Sequence, residues 1–156
     1  MNVRVRFAET DQMGIAHHAS YVVWLEAARV EWLRERGLSY REIEQSGISL
    51  AVTNVTVDYL RSALFDDELT VHTTLVTAKS RLFTFAYDVI RDSDGVTLAK
   101  GRSTHVSVNS EGKPVRLPRQ WLEPLSNTVN NTATTTTTSS EAKNSETATS
   151  NKTARS

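Results

Sequence analysis

The stretch ETDQMGIAHH, residues 9–18, gathers a carboxylate, a flexible glycine and two imidazoles: Asp11, Gly14, His17 and His18. A loop carboxylate such as Asp11 can activate water or attack an electrophilic carbon itself. It can equally serve as a turn or capping residue, since Asp is favoured in such loops. His18 could polarise a carbonyl, orient Asp11 or protonate a leaving group, or it could simply cap and pack. Gly14 would let the loop backbone approach a bound molecule closely. If a helix begins at this point, the backbone N–H groups around His18, Ala19 and Ser20 lack partners. They would then stabilise developing negative charge. His17 beside His18 invites a metal reading, but adjacent side chains diverge and no carboxylate or Cys cluster supports one. No metal site is expected.

Those residues need elements to hold them. Residues 2–8 alternate Val3, Val5 and Phe7 against Asn2, Arg4 and Arg6, the pattern of a half-buried strand. Residues 19–36 predict a helix stopped by Gly37, with Arg34 and Arg36 suited to the negative end of its dipole. Ser20 or His18 would sit near its N-cap. The helix is apolar nearly all round, with a narrow polar stripe at Glu26 and Arg29, which predicts burial on most sides. Glu26 and Arg29 are spaced i, i+3 and could pair with each other; Glu26 could instead face a ligand cavity. Tyr21 reads first as core.

A short helix at 39–46 is predicted from Ser39, with Glu42 in the capping-box position. From residue 48 the character changes. Residues 48–60, 68–78, 81–91 and 96–108 are rich in Val, Thr and aromatics and read as four long strands. They predict an antiparallel meander joined by turns at Asp94-Gly95 and Glu111-Gly112-Lys113. His72 and His105 fall inside strands and read as ordinary sheet residues. Residues 117–125 form a short terminal segment packing Trp121 and Leu122. The first strand must join the same sheet to cover the helix, which gives an α+β arrangement. Apolar positions on the far face of the sheet suggest packing against a second subunit.

Composition sets the outer limits. The formal net charge is zero and no basic run marks a nucleic-acid tract. The absence of Cys excludes disulfides, thiolate metal sites and a cysteine nucleophile. No stretch approaches the apolar length needed to span a bilayer, and MNVRVRFAET lacks a signal-peptide core. A soluble cytoplasmic protein is expected. Residues 126–156, almost wholly Thr, Ser, Asn and Ala with few charges, are expected to be a disordered tail, leaving 1–125 as the folded domain.

The segment from Phe7 to Tyr40 resembles the 4-hydroxybenzoyl-CoA thioesterase family, especially its Tol-Pal-associated acyl-CoA thioesterase branch. The matching positions are Thr10, Asp11, Gly14, Ile15, His18, Tyr21, Glu26 and Arg29. The D-x-x-G-x-x-x-H core alone is weak; set between a first strand and a long helix, with four strands following, it is fairly specific. The resemblance covers residues 1–125 and implies a hotdog fold, a five-stranded antiparallel sheet wrapped around one long helix. It implies a homodimer or homotetramer that binds acyl-CoA at the subunit interface, without metal or cofactor. Asp11 and His18 would be catalytic. Gly14, Ala19 and Ser20 would contribute backbone to the oxyanion site, and Tyr21 and Glu26 would contact substrate. Lys79, Ser80 and Arg81 lie in the turn where the family often places nucleotide contacts, with Arg61 and Arg102 as further candidates. A solvated surface is the plainer reading of each cation. An acyl carrier protein could replace CoA as donor. The implied activity is hydrolysis of a short- or medium-chain or aromatic acyl-CoA. The alternatives are a hotdog hydratase or dehydratase, for which no second acid/base motif is visible, and a non-catalytic acyl-CoA-binding module.

Overall fold

The computed structural model describes residues 1–129. Strand β1 (Asn2–Arg4) leads into a 3-10 turn (Phe7–Glu9), then helices α1 (His18–Glu35) and α2 (Tyr40–Gln45). Four long strands follow: β2 (Ile48–Tyr59), β3 (Glu68–Lys79), β4 (Leu82–Arg91) and β5 (Thr97–Asn109). Residues 119–129 are helical (α3). All five strands form one antiparallel sheet in the order β1-β3-β4-β5-β2.

The strand spans match the sequence expectation closely, but their order does not. Only β3, β4 and β5 form a meander; β2 pairs with β5, from Ile48↔Asn109 to Tyr59↔Ala99. The connection over residues 60–67 is therefore a crossing and not a hairpin. Its backbone is spent on other partners: the amides of Leu60 and Arg61 both reach the carbonyl of Leu98, and Asp66 reaches that of Val5. Ala63 in its middle is fully buried. Buried backbone must be hydrogen-bonded, and this crossing achieves it by bonding to β5 at one end and to Val5, just past β1, at the other.

The first strand is shorter than its alternation predicts. Val5 is buried, but Phe7 is 76% exposed. The chain leaves the sheet after Arg4 because Glu9 draws it into the 3-10 turn. The Glu9 carboxylate accepts from the Arg6 amide at 2.9 Å and from the Arg6 guanidinium at 2.7 Å.

Helix α1 begins one residue earlier than predicted, with His17 as its N-cap. It ends at Gly37, whose φ of +71° suits a residue without Cβ, and Leu38 closes the turn by donating to the carbonyl of Leu33. It is not buried all round. Tyr21, Trp24, Leu25, Ala28, Arg29, Trp32 and Leu33 face inward at i, i+3, i+4 spacing. Val22 and Val23 remain 39% and 57% exposed. The inward face joins Phe83, Phe85, Tyr87 and Val89 of β4, all buried, in one core, with Trp32 edge-on to Phe85 at 5.6 Å between centroids. Gly101 of β5 lies directly under Leu25: a Cβ there would stand 2.5 Å from Leu25 Cδ1. Helix α2 is capped as expected, Ser39 Oγ accepting from the Glu42 amide.

The far face of the sheet is more polar than expected, with His72, Thr74, Asp88, Lys100 and Arg102 exposed. Val76 and Leu82 are exposed at its β3–β4 end, and a further uncovered apolar strip lies along α1 and β2, where Val52 and Val55 are exposed beside Val22. Helix α3 starts after Pro118, whose carbonyl accepts from Trp121 and Leu122. Its fully buried residue is Leu125, with Trp121, Leu122 and Val129 half-buried against the core. The helix thus runs past the boundary drawn at 125. The remainder of the expected tail, 130–156, lies outside the described residues. Among the described residues no helix is long and apolar enough to cross a membrane.

Candidate active site

Asp11 opens a tight turn. Its amide donates to the carbonyl of Ile15 at 2.9 Å, and Gly14 donates to the carbonyl of Asp11 at 3.0 Å. Gly14 has φ +75°, which explains the glycine. The Asp11 carboxylate accepts from the Met13 amide through Oδ1 at 2.8 Å, leaving Oδ2 without a partner among the described residues. This is the turn geometry that the residue type favours, and it aims the carboxylate rather than consuming it.

Two anchors fix the turn against the rest of the fold. Ala16 donates to the carbonyl of Ala63 in the crossing segment, and Ile15 bridges to Leu64. Glu9 fastens the other side to α1. Its carbonyl accepts from the His17 amide at 2.7 Å and from Ser20 Oγ at 3.1 Å, and its carboxylate accepts from Trp24 Nε1 at 3.0 Å. Burial pushes the Glu9 carboxyl upward, but the hydrogen bonds from Arg6 and Trp24 outweigh it and hold it below the usual range.

At the start of α1, His17 Nδ1 accepts from the Ala19 amide at 3.1 Å, and the Ser20 amide donates to the His17 carbonyl at 2.9 Å. The amides of Ala19 and Ser20 are therefore engaged. The His18 amide has no partner among the described residues and is the open donor at this positive helix end. The rings of His17 and His18 stand 4.0 Å apart between centroids. No group of three or more potential metal ligands occurs among the described residues.

A cavity of ≈ 270 Å³ opens beside this turn. Asp11, Ile15, Ala16, His18 and Tyr21 line one side, and Tyr59, Leu60, Arg61 and Ser62 the other. Tyr21 is buried, and its hydroxyl accepts from the Ala63 amide at 3.3 Å; burial pushes its pKa up. It is both core and cavity wall. Tyr59, Leu60 and Ser62 were not singled out from the sequence. They arrive because β2 ends against β5 and the chain then crosses the mouth of α1, a topology that no local pattern encodes.

The other predicted residues are placed elsewhere. Lys79, Ser80 and Arg81 form the β3–β4 turn, at the opposite end of β3 from the crossing segment, roughly 36 Å along the strand. Within one chain they do not reach Asp11. Arg61 does share its cavity, whereas Arg102 lies on the far face of the sheet with Lys100 and Asp58. Glu26 and Arg29 form no ion pair with each other. Glu26 is exposed, while Arg29 is only 5% exposed.

Arg29 belongs to a buried polar chain that the sequence did not reveal. Its Nη1 lies 2.7 Å from His105 Nδ1. His105 Nε2 is 2.8 Å from Ser103 Oγ, which is 2.8 Å from the Tyr87 hydroxyl. Burial, with the Arg29 charge beside it, lowers the His105 pKa from 6.5 to about 4, so the ring is neutral near pH 7. His105 is thus not an ordinary sheet residue. Alternation along β5 puts Ala99, Gly101, Ser103, His105 and Ser107 on the helix-facing side, the one signal that could have found it.

Residues 5–125 match the thioesterase-like superfamily. The chain is 30% identical over 118 residues to the acyl-CoA thioester hydrolase YbgC of Escherichia coli, covering 75% of this chain and 87% of that one. A hypothetical protein from Thermus thermophilus has a similar structure, with a TM-score of 0.78 and 37% identity over 82% of this chain and 97% of that one. The DHNA-CoA thioesterase from Staphylococcus aureus superposes with a TM-score of 0.80 at 28% identity, over 85% of this chain and 93% of that one. The curled five-stranded antiparallel sheet with its helices is the hotdog arrangement of these proteins.

Proposed function

The chain belongs to the thioesterase-like superfamily, and we propose that it hydrolyses an acyl-CoA thioester to the free acid and CoA. The observation that carries this reading is the meeting of Asp11, His18 and the open N-terminus of α1 at one cavity. Within the superfamily the spacing of Asp11, Gly14 and His18 favours the 4-hydroxybenzoyl-CoA thioesterase family, in its Tol-Pal-associated branch.

The thioester carbonyl sits with its oxygen toward the His18 amide. Asp11 takes a proton from water as the water oxygen attacks the carbonyl carbon, or its free Oδ2 attacks that carbon directly and water cleaves the resulting anhydride. The oxyanion is held by the His18 N–H and the helix dipole. The C–S bond then breaks, and the His18 side chain supplies the proton to the departing thiolate. The route draws on no metal or cofactor. Gly14 keeps the turn open to substrate, Tyr21 and Tyr59 wall the acyl side, and Arg61 at the rim can meet a phosphate.

A homodimer, alone or paired into a tetramer, is part of the proposal. Strand β2 is a long edge strand with one side unpaired, and Val22, Val23, Val52 and Val55 lie uncovered beside it. A second copy would cover them. It is also the route by which Lys79, Ser80 and Arg81 could approach a CoA bound at another chain's Asp11. The acyl group is short- or medium-chain aliphatic or aromatic, with an acyl carrier protein as a possible alternative donor.

The test is thiol release from a panel of acyl-CoAs, wild type beside Asp11→Asn. Asn keeps the shape and removes the charge, so release should fall about 100-fold or more with folding intact. Activity surviving that substitution would remove Asp11 from the reaction.

A further inference from the structure

A second, smaller cavity of ≈ 50 Å³ lies between α1 and β2. Its rim is Val22, Leu25, Val52 and Val55; its inner wall is the polar chain of Arg29, His105, Ser103 and Tyr87. Arg29 is the unusual member. Its guanidinium is buried, its Nε has no hydrogen-bond partner, and among the described residues no carboxylate pairs with it. A buried charge without a counter-charge is costly. His105 contributes only a neutral acceptor, and that to Nη1. Nε is sealed from water, and Nη2 makes no hydrogen bond among the described residues, so a carboxylate entering from the cavity meets Nη2 and gains the parallel bond to Nε as the side chain turns.

Position connects this cavity to the first. His18 and Tyr21 of α1 line the Asp11 cavity, and the next turns supply Val22, Leu25 and Arg29. On β2, Tyr59 belongs to the first cavity and Val55 and Val52 to the second. The two cavities therefore follow one α1–β2 flank. His18 and Arg29 are about three turns apart, roughly 16 Å of helix rise, and helical side chains lean back toward the N-terminus. Resting on the thioesterase reading, we infer that this cavity is an acyl-end subsite selecting acyl groups that carry a distal carboxylate, the half-thioesters of dicarboxylic acids. The acyl chain runs along the Val22, Leu25, Val52 and Val55 rim, between this chain and the second copy that closes over it, and its terminal carboxylate meets Arg29. Glu26 at the same rim is exposed, so water screens its repulsion of that carboxylate without abolishing it.

The experiment compares ω-carboxyacyl-CoAs, in a length series from succinyl to sebacoyl, with fatty acyl-CoAs of the same carbon counts. At one or two adjacent lengths kcat/KM should favour the carboxylated substrate by about 10-fold or more, the weight of a buried charge-assisted hydrogen bond. Arg29→Met should erase that preference, and Glu26→Gln should increase it. The Glu26 variant is a surface change, so it reports even if the Arg29 variant fails to fold. Fatty acyl-CoAs preferred at every length would overturn the subsite. So would loss of the dimer in Arg29→Met without any carboxylate preference, since a partner's side chain would then be the occupant. Calorimetric binding of both series to Asp11→Asn separates the two readings. Discrimination in binding with no turnover by the wild type keeps the subsite and removes hydrolysis; equal binding removes the subsite.

Discussion

The Tyr59 hydroxyl donates to the carbonyl oxygen of His18 at 2.9 Å, fastening the last residue of β2 to the first residue of α1. The same ring stands edge-on to Tyr21, 5.2 Å between centroids. The open amide of His18 is thereby held by a residue from the far edge of the sheet. Tyr59→Phe keeps the ring contact and removes the hydroxyl. Because Tyr59 is 49% exposed, its loss should cost stability only about 0.5–1 kcal/mol. If the bond aims the oxyanion donor, kcat should fall several-fold while KM changes little. Steady-state kinetics beside a urea melt separate the two effects, and an unchanged kcat would confine Tyr59 to structure.

Gly101 lets Leu25 of α1 pack directly against the backbone of β5. An added methyl would meet Leu25 Cδ1 at 2.5 Å and Tyr87 Cδ2 at 3.4 Å, and both residues are buried. Leu25 would have to leave its rotamer in a packed interior. Gly101→Ala should therefore lower stability by about 1–3 kcal/mol, the usual cost of overpacking. Chemical denaturation would show it as a lower midpoint with an unchanged m-value. A neutral result would mean that the helix can lift from β5 at little cost.

Leu125 is 1% exposed on α3, and Val129 packs half-buried one turn later. Leu125→Ala should cost about 2–5 kcal/mol if the site cannot collapse. A chain cut after residue 125 should melt lower than one cut after 129, because the former loses the Val129 contact. Equal melting temperatures would return the fold boundary to 125.

Local structure was largely legible from the sequence, and long-range pairing was not. The alternation of Phe83, Phe85, Tyr87 and Val89 and the turn at Gly95 reported β4 and its hairpin directly. Asp11, Gly14 and His18 were legible because a turn and a helix start are local events. The partner of β2 was not, since an antiparallel strand carries the same alternation beside either neighbour. Tyr59 and Ser62 reach the site only through that pairing. Arg29 was misplaced for a related reason. Helical periodicity put it beside Glu26 in a polar stripe, whereas its burial depends on His105 and Ser103, which stand opposite it only when β5 folds under α1.

The Arg29–His105 contact gives a pH dependence with a definite sign. In the folded chain, burial and then Arg29 oppose protonation of His105 and lower its pKa to about 4, against 6.5 ordinarily. Above about pH 6.5 the ring is neutral in both states and contributes nothing to the slope. As pH falls from 6.5 toward 4, the unfolded chain takes up a proton that the folded chain refuses, so stability is lost through that window. The loss saturates near pH 4 at about 3 kcal/mol. Urea denaturation of wild type and His105→Gln across this range isolates the contribution, because carboxylate titration is common to both and cancels in the difference. The wild type should lose stability relative to the variant as the pH drops from 6.5 to 4, whatever the offset between them at pH 7. A difference that stays flat would show that His105 titrates alike in both states, as it would if water reached the ring.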